Sequence, residues 1–490
     1  MSENVSPQGA TIAPIVAAAP IAGGRSAREP VAARHPWRRE IAAMVKLALP
    51  LAATQLLMIG INTSDVVMMG WLGPDKLAAG SLGFSLYMPV FLFGVGLLSA
   101  VSALAAQALG AKEYRGVRRS VRQGLWVATA YSVLASLLLW HGESILLTLG
   151  QDPATAALAG GYLRAALWGF PGAVWVIVLR GFVTALSRPR SALLIILAGT
   201  LLNIALNYVL MFGHLGFPRL ELVGAGIATS IVNLGMVAIF LAAIQADRKF
   251  RRHAILARFW RPDWPRFRRL LTLGLPIGIT VLAETAFFSS AAILMGWIGT
   301  AALAAHTVAL QCAAVAFMVP LGVSQATTVR VGLAFGAGDR ERVGRAGWTA
   351  FILGTAFMSC SALAFWFAGP QLVGLFLDRG VAENAAAIAL AVAFLRIAAV
   401  FQLLDGAQVI GVGALRGLQD TLVPMAIAVL GYWAIGFPVA ALLGFTLELG
   451  GEGVWWGLAS GLAVVAGLLV WRFAGRDRLL TRAGFTPRRA

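Results

Sequence analysis

The sequence has little charge and almost no cysteine. Only 12% of its 490 residues are Asp, Glu, Lys or Arg, about half the share that is usual in soluble domains. Its two cysteines, Cys312 and Cys360, lie inside apolar runs. This pattern excludes a disulfide framework and a cysteine-based metal site.

Enzyme signatures are also missing. No nucleophile elbow of the form Gly-x-Ser-x-Gly and no phosphate-binding Gly-x-x-x-x-Gly-Lys loop occurs, and no two of the five histidines stand at the i, i+4 spacing of a helical metal pair. The sequence therefore predicts neither an enzyme nor an ATP-driven pump, and no cofactor is expected.

Long apolar runs are abundant. Hydrophobic residues make up 59% of the chain and its mean hydropathy is +0.81, whereas a membrane-spanning helix needs roughly 20 apolar residues. The runs are continuous and do not alternate, which excludes a β-barrel. We predict an all-α polytopic membrane protein with twelve spans, at residues 44–71, 82–108, 121–143, 157–183, 191–213, 223–246, 271–297, 308–334, 347–369, 384–415, 422–446 and 453–474.

Basic residues are concentrated on alternate connections between the spans. The net charge is +18, yet the opposite set of connections holds little more than Lys76, Arg219 and Arg379. Because Lys and Arg are retained on the cytoplasmic side, this pattern predicts a multi-pass protein of the inner (plasma) membrane with both termini cytoplasmic. It also argues against a nucleic-acid partner and leaves membrane lipids as the surroundings.

The chain divides near its middle. Residues 1–43 are rich in Ala, Pro and Gly and are expected to form a disordered cytoplasmic tail, not a signal or transit peptide. An N-lobe is predicted over residues 44–246, a cytoplasmic connecting loop over 247–270, a C-lobe over 271–474 and a second cytoplasmic tail over 475–490.

The two predicted lobes are internal repeats. An offset of 226 positions maps Pro50 onto Pro276, and it also relates residues 69–71 (MGW) to 295–297, Gly96 to Gly322 and Gly110 to Gly336. Since each lobe has six spans, both insert in the same orientation, so we predict two pseudo-symmetric six-helix bundles. Parallel repeats of this kind are typical of transporters that bind substrate between the bundles.

Three carboxylates fall inside predicted spans: Asp65, Glu284 and Asp405. A carboxylate in a span costs roughly 2.5–3.5 kcal/mol on insertion scales, and none of these has a basic residue one helical turn away. We interpret them as a reversible cation-coupling site for H⁺, with Glu284 and Asp405 as metal ligands if the ion is Na⁺. The alternative is a carboxylate capped by hydroxyls that only orders helix packing.

Polar neighbours extend this site. Asn203 and Asn207 stand at i, i+4 and share a helix face, so they either complete a polar cavity with Asp65 or hold helices together. Asn62, Phe401 and Gln402 adjoin the carboxylates in sequence. All five residues are predicted to line a substrate cavity.

Four short motifs make the chain resemble the multidrug and toxic compound extrusion (MATE) family, over roughly residues 44–474. They are residues 64–70 (SDVVMMG), 202–207 (LNIALN), 304–309 (AAHTVA), and 405–409 (DGAQV) with 413–417 (GALRG).

The resemblance implies a V-shaped transporter of two lobes that exports cationic or amphipathic drugs in exchange for H⁺ or Na⁺. It places Asp65, Asn203 and Asn207 in an N-lobe polar site and Glu284 with Asp405 in a C-lobe cation site. Many members of the family have Tyr where this chain has Phe401. The missing hydroxyl favours H⁺ over Na⁺.

Two other hypotheses compete with a cation-coupled exporter, for which a monomer is expected. A lipid-linked sugar flippase or metabolite exporter on a related fold would hold phosphate with several basic residues, and we take only Arg164 and Arg396 as candidates for that role within the spans. A membrane scaffold or receptor without transport would explain the helices but not Glu284 and Asp405.

Overall fold

The computed structural model describes residues 36–378 and 380–482, which are helical throughout apart from turns and short connections. The predictions made for residues 1–35 and 483–490 lie outside the described residues, as does that for Arg379.

Twelve helical segments that can span a membrane follow one another along the described residues, and the predicted all-α architecture is confirmed. Eleven are single helices long and apolar enough to cross a membrane, and the fourth is a pair bent by 48° between Pro153–Leu167 and Phe170–Ala185. The spans are α1 (Pro36–Trp71), α2 (Pro74–Gly110), α3 (Tyr114–Trp140), α4 (the bent pair), α5 (Pro189–Phe212), α6 (Glu221–Ala246), α7 (Trp264–Ile298), α8 (Thr300–Ala337), α9 (Arg340–Phe367), α10 (Ala385–Gly417), α11 (Leu422–Thr446) and α12 (Gly450–Ala474).

Two predicted boundaries need correction. Residues 36–43 were assigned to the disordered tail, but they form the first turns of α1, which begins at a proline. Proline suits a helix start because its missing N–H would have no partner there. The connecting loop, predicted to extend to residue 270, ends at Asp263. The Asp263 side chain accepts a hydrogen bond from the backbone N–H of Arg266 and so caps the start of α7.

Shorter elements interrupt the connections and one of the spans. Helical turns occur at Gly142–Thr148, Arg248–Arg251, Gly369–Val373, Ala382–Asn384 and Arg476–Arg482. Within α11 the regular helix gives way twice to wider π-helical turns, at Leu430–Gly436 and Leu442–Thr446. Such turns are frequent at functional sites.

The two lobes meet through repeat-related contacts. Helix α1 of the N-lobe packs against α8 of the C-lobe, and α2 packs against α7. A Cβ added at Gly96 would lie 2.7 Å from the Cα of Gly278, and one added at Gly322 would lie 2.7 Å from the Cα of Ala52. The offset of 226 converts the first pair into the second, so the internal repeat seen in the sequence also governs the interface.

The named contacts lie in the halves of α1, α2, α7 and α8 that are nearest to one side of the molecule. We call it the basic face, because it carries the start of α1, the α2–α3 and α8–α9 connections and the long connection before α7, where Lys and Arg are concentrated; the other side is the opposite face. On the half of α1 nearer the opposite face, a Cβ added at Gly60 would have no neighbour within 4 Å.

Gly336 allows the closest approach at the basic face, and its substitution is a sharp test of the interface. A Cβ there would overlap the backbone oxygen of Gln107, so Gly336→Ala is expected to destabilise the protein by about 1–3 kcal/mol, measured by thermal unfolding. Gly467→Ala is the control, because a Cβ at that position meets nothing within 4 Å and should be neutral or stabilising. Equal melting temperatures for the two variants would contradict the tight packing.

Candidate functional site

The two C-lobe carboxylates belong to neighbouring parts of one buried site. Glu284 lies in the middle of α7 and is half-buried, while Asp405 lies in α10 and is only 6% exposed. The two carboxylates interact electrostatically. The structure therefore brings together the two acids that the sequence placed 121 positions apart.

A buried hydroxyl and a guanidinium stand beside these acids. Tyr432, in the first π-helical stretch of α11, interacts electrostatically with both carboxylates, and Arg416 does so with Glu284. Within the described residues, the Tyr432 hydroxyl and the Arg416 Nε find no hydrogen-bond partner. Neither residue was among the predicted site residues. The recurrence of Leu-Arg-Gly at residues 179–181 and 415–417 was a signal for the arginine, whereas nothing in the sequence singled out Tyr432.

Phe401 does not line the polar cavity, contrary to prediction. Its ring is 1% exposed and packs edge-on against Phe288 and Trp455, with centroid separations of 6.0 and 5.5 Å. Edge-to-face packing is a favourable arrangement for aromatic rings. Phe401 therefore forms an apolar wall one turn from Asp405.

Gln402 remains a polar part of the site. It is buried, and its side-chain oxygen accepts a hydrogen bond of 3.0 Å from the Ser361 hydroxyl of α9. Its amide nitrogen has no partner among the described residues. A buried donor without a partner is unfavourable, so a bound ligand that accepts a hydrogen bond from this nitrogen would be stabilised.

The N-lobe acid lies in a second, separate cluster. The Asn207 amide donates a hydrogen bond of 2.5 Å to Asp65 and a longer one of 3.4 Å to Asn203. Both asparagines are buried and Asp65 is half-buried, while Asn62 lies one turn away on α1. The predicted association of α1 with the asparagine pair of α5 is thus present, and it both holds the two helices together and forms a polar site.

The arginines that are buried in the spans are not the two that the sequence predicted. Arg164 pairs with Glu143 near the opposite face, and Arg396 is exposed. One buried guanidinium of the N-lobe belongs to Arg180, which donates to the Gln55 oxygen at 3.2 Å and contacts the Met58 sulfur at 3.3 Å. Met58 is the repeat counterpart of Glu284 at the 226 offset, so only the C-lobe has an acid at this place.

The basic face is closed by polar contacts between the lobes. Arg330 of α8 makes a bidentate ion pair with Glu40 of α1, at 2.8 and 2.6 Å, with side chains 13% and 6% exposed. The Gln107 amide of α2 donates to the backbone oxygen of Gly417 at 2.7 Å. These contacts hold the lobes together at the basic face.

Among the described residues there is no group of three or more His, Cys, Asp or Glu side chains that could hold a metal ion. The oxygen atoms beside the acids of the C-lobe site include those of Glu284, Asp405 and Tyr432. This set can bind and release a proton without any further ligand.

A family model described as MatE matches the chain twice, over residues 50–209 and 276–442. The two matched segments begin 226 positions apart, at Pro50 and Pro276. Each covers most of one lobe, so the family model recognises the same repeat that organises the fold.

Curated relatives match nearly the whole chain. A probable multidrug resistance protein NorM of Mesorhizobium japonicum is 48% identical over 92% of this chain and 97% of its own length. One from Rhizobium meliloti is 45% identical over 92% and 96%, and one from Pseudomonas aeruginosa is 42% identical over 91% of each chain.

Solved structures share the fold at lower identity. The eukaryotic MATE transporter AtDTX14 superimposes with a TM-score of 0.80 at 20% identity, covering 91% of this chain and 99% of that one. A multidrug resistance MATE family transporter in an outward-facing conformation gives a TM-score of 0.81 at 23% identity, covering 91% and 97%.

Proposed function

Because the chain belongs to the MatE family and is a membrane transporter, not an enzyme, we propose that it is a secondary active antiporter. In this proposal it exports cationic or amphipathic compounds, such as drugs or toxic metabolites, in exchange for a cation. The observation that carries the proposal is the interacting pair of the half-buried Glu284 and the buried Asp405 within the C-lobe. The names of the multidrug resistance relatives support the substrate class.

We assign H⁺ as the coupling ion. Two carboxylates that interact electrostatically in a low-dielectric site repel each other strongly if both are ionised, so one proton is readily shared between them. The missing hydroxyl at Phe401 removes one possible Na⁺ ligand. Arg416 near Glu284 stabilises the ionised acid after the proton leaves, and the site can then load again from the side with more protons.

The closed basic face indicates on which side the substrate leaves. If the basic face is cytoplasmic, as the positive-inside pattern indicates, the present conformation is closed to the cytoplasm, and we infer a cleft between the lobes that opens outwards. Transport then requires the lobes to separate at the basic face and close at the opposite face. Apolar and aromatic walls with few polar anchors accept varied amphipathic molecules, and the N-lobe cluster of Asp65 with Asn203 and Asn207 supplies one negative anchor for a cationic group.

Fluorescent cationic dye efflux from cells tests this function. Cells that express the protein should retain less dye than cells that express an inactive variant, and a protonophore that collapses the pH gradient should remove the difference. Dye efflux that persists without any ion gradient would exclude secondary antiport.

Tyr432 supplies a further prediction. Its buried hydroxyl lies beside both acids and is free of other partners among the described residues, so it can donate to whichever carboxylate is ionised. Since a hydrogen bond to a charged group contributes about 1.5–3 kcal/mol, Tyr432→Phe should reduce proton-driven efflux roughly tenfold or more without lowering the melting temperature. The exposed Tyr208 provides the control, Tyr208→Phe. Equal efflux in both variants would remove Tyr432 from the mechanism.

A lipid-linked sugar flippase or metabolite exporter is the second candidate. Arg180, Arg330 and Arg416 are further arginines within the spans. However, Arg330 is neutralised by Glu40, and Arg416 faces an acid, so neither offers a free phosphate site. Lipid translocation in liposomes without dye transport would favour the flippase.

A further inference from the structure

A cavity of about 410 Å³ lies at the basic face between the lobes. Its walls come from α2 and α3 of the N-lobe, from the start of α7 and from Gln419 just after α10. We call it the arginine pocket. It is lined by Leu104, Arg119, Ser120, Pro265, Arg266, Arg269, Leu270 and Gln419. It lies apart from the candidate coupling site in the middle of the spans.

Two guanidinium groups in this pocket are bound only to neutral acceptors. Arg266 donates to the Ser120 hydroxyl at 2.9 Å and to the backbone oxygen of Gly116 at 3.4 Å. Arg269 donates to the side-chain oxygen of Gln419 at 3.1 Å. These contacts orient the two groups without cancelling their charge.

The acids nearby do not neutralise the pocket. Arg119 is paired with Asp263, and this ion pair holds the pKa of the Asp263 carboxyl below its usual range, so the acid stays ionised. Glu113 interacts electrostatically with Arg266. Three arginines against two acids leave a positive excess.

The pocket also lies at the level of lipid headgroups. Trp264, at the start of α7, is 57% exposed, and Leu275, three turns further into the span, is exposed as well. Exposed tryptophan at a span end is typical of the membrane–water interface. The apolar lining from Leu104, Pro265 and Leu270 suits the glycerol and first methylene groups of a lipid and offers nothing to a free inorganic anion.

We propose that the arginine pocket binds the phosphate headgroup of an anionic phospholipid, and that the bound lipid stabilises the closed basic face. Basic pockets between transmembrane helices on the cytoplasmic side are suited to such headgroups. Because both lobes contribute walls, separation of the lobes would take the pocket apart. A ligand that binds only the closed form shifts the conformational equilibrium towards it.

Lipid binding to the purified full-length chain tests the proposal. We expect phosphatidylglycerol, added to the protein in neutral detergent, to bind in native mass spectrometry and to raise the melting temperature, whereas phosphatidylcholine should do neither. Arg266→Gln with Arg269→Gln should weaken phosphatidylglycerol binding about 30-fold, because each basic residue near an anionic surface contributes about fivefold.

Arg268→Gln is the matched control, since Arg268 is exposed on the same helix but does not line the pocket. Because Arg268 lies outside the pocket, this variant should retain wild-type lipid affinity within about twofold. Arg269→Gln alone, at an exposed position, should lose about fivefold and provides the test if the double variant does not fold. Equal phosphatidylglycerol affinity in Arg268→Gln and Arg269→Gln, or equal stabilisation by inorganic phosphate, would overturn the proposal.

Discussion

Glu284→Gln and Asp405→Asn are each expected to reduce ion-driven efflux to the background of cells without the transporter. Both changes preserve side-chain size and remove the ability to carry a proton. An ion gradient supplies about 2.3 kcal/mol per charge per 100 mV. Without a group that binds and releases the proton, this free energy cannot be coupled to substrate export. Because the two acids interact, neither is expected to substitute for the other. Dye efflux at matched expression is the measurement.

The control for this prediction is a carboxylate outside the site. Glu341 forms an exposed i, i+4 ion pair with Arg345 at the basic face, so Glu341→Gln should retain full efflux. Dye binding to the purified Glu284→Gln protein should persist, since loss of coupling does not require loss of the cleft. Full efflux in both site variants would remove the coupling role from these acids.

Glu40→Gln is expected to shift the protein away from the conformation described here. The substitution leaves the guanidinium of Arg330 buried without its acid, and breaking a buried ion pair by removing one partner costs about 3–5 kcal/mol. This cost falls on the state that is closed at the basic face, because the pair joins α1 to α8 across the lobes. Efflux should fall, since the transporter no longer returns readily to the outward-open state.

Distances between spin labels measure this shift. Labels at the exposed positions Arg115 and Glu341, one on each lobe at the basic face, should report a longer mean distance in Glu40→Gln than in the parent, after Cys312 and Cys360 are replaced by serine. The double variant Glu40→Gln with Arg330→Gln, in which no guanidinium at position 330 lacks its acid, should give a shorter distance than Glu40→Gln alone. Unchanged distances in Glu40→Gln would show that the ion pair does not control closure.

Much of the fold could be predicted from the sequence because lipid imposes simple rules. Apolar runs of spanning length identified the twelve helices, and a constant offset identified the two lobes. The family to which the chain belongs was recognised from motifs around Asp65, Asn203 and Asp405. These signals are local or strictly periodic, so they do not depend on knowing the packing.

Features that depend on packing could not be predicted. Glu40 and Arg330 are 290 positions apart, and Glu40 was assigned to a disordered tail because nothing local marks it as buried. Phe401 was placed in a polar cavity from its sequence distance to Asp405, whereas its orientation is decided by contacts with Trp455 on another helix. The position of Tyr432 beside both acids depends on the π-helical turns of α11 in the same way.

Substrate flux through the purified protein in liposomes, under separately imposed pH and Na⁺ gradients, tests cation-coupled antiport most directly. We expect a pH gradient alone to drive cationic dye against its own gradient in the wild type, and to fail in Glu284→Gln and in Asp405→Asn. Uphill dye movement that needs Na⁺ and ignores pH would contradict the assignment of H⁺. Uphill movement under a pH gradient that is undiminished in both variants would contradict the role of the two acids.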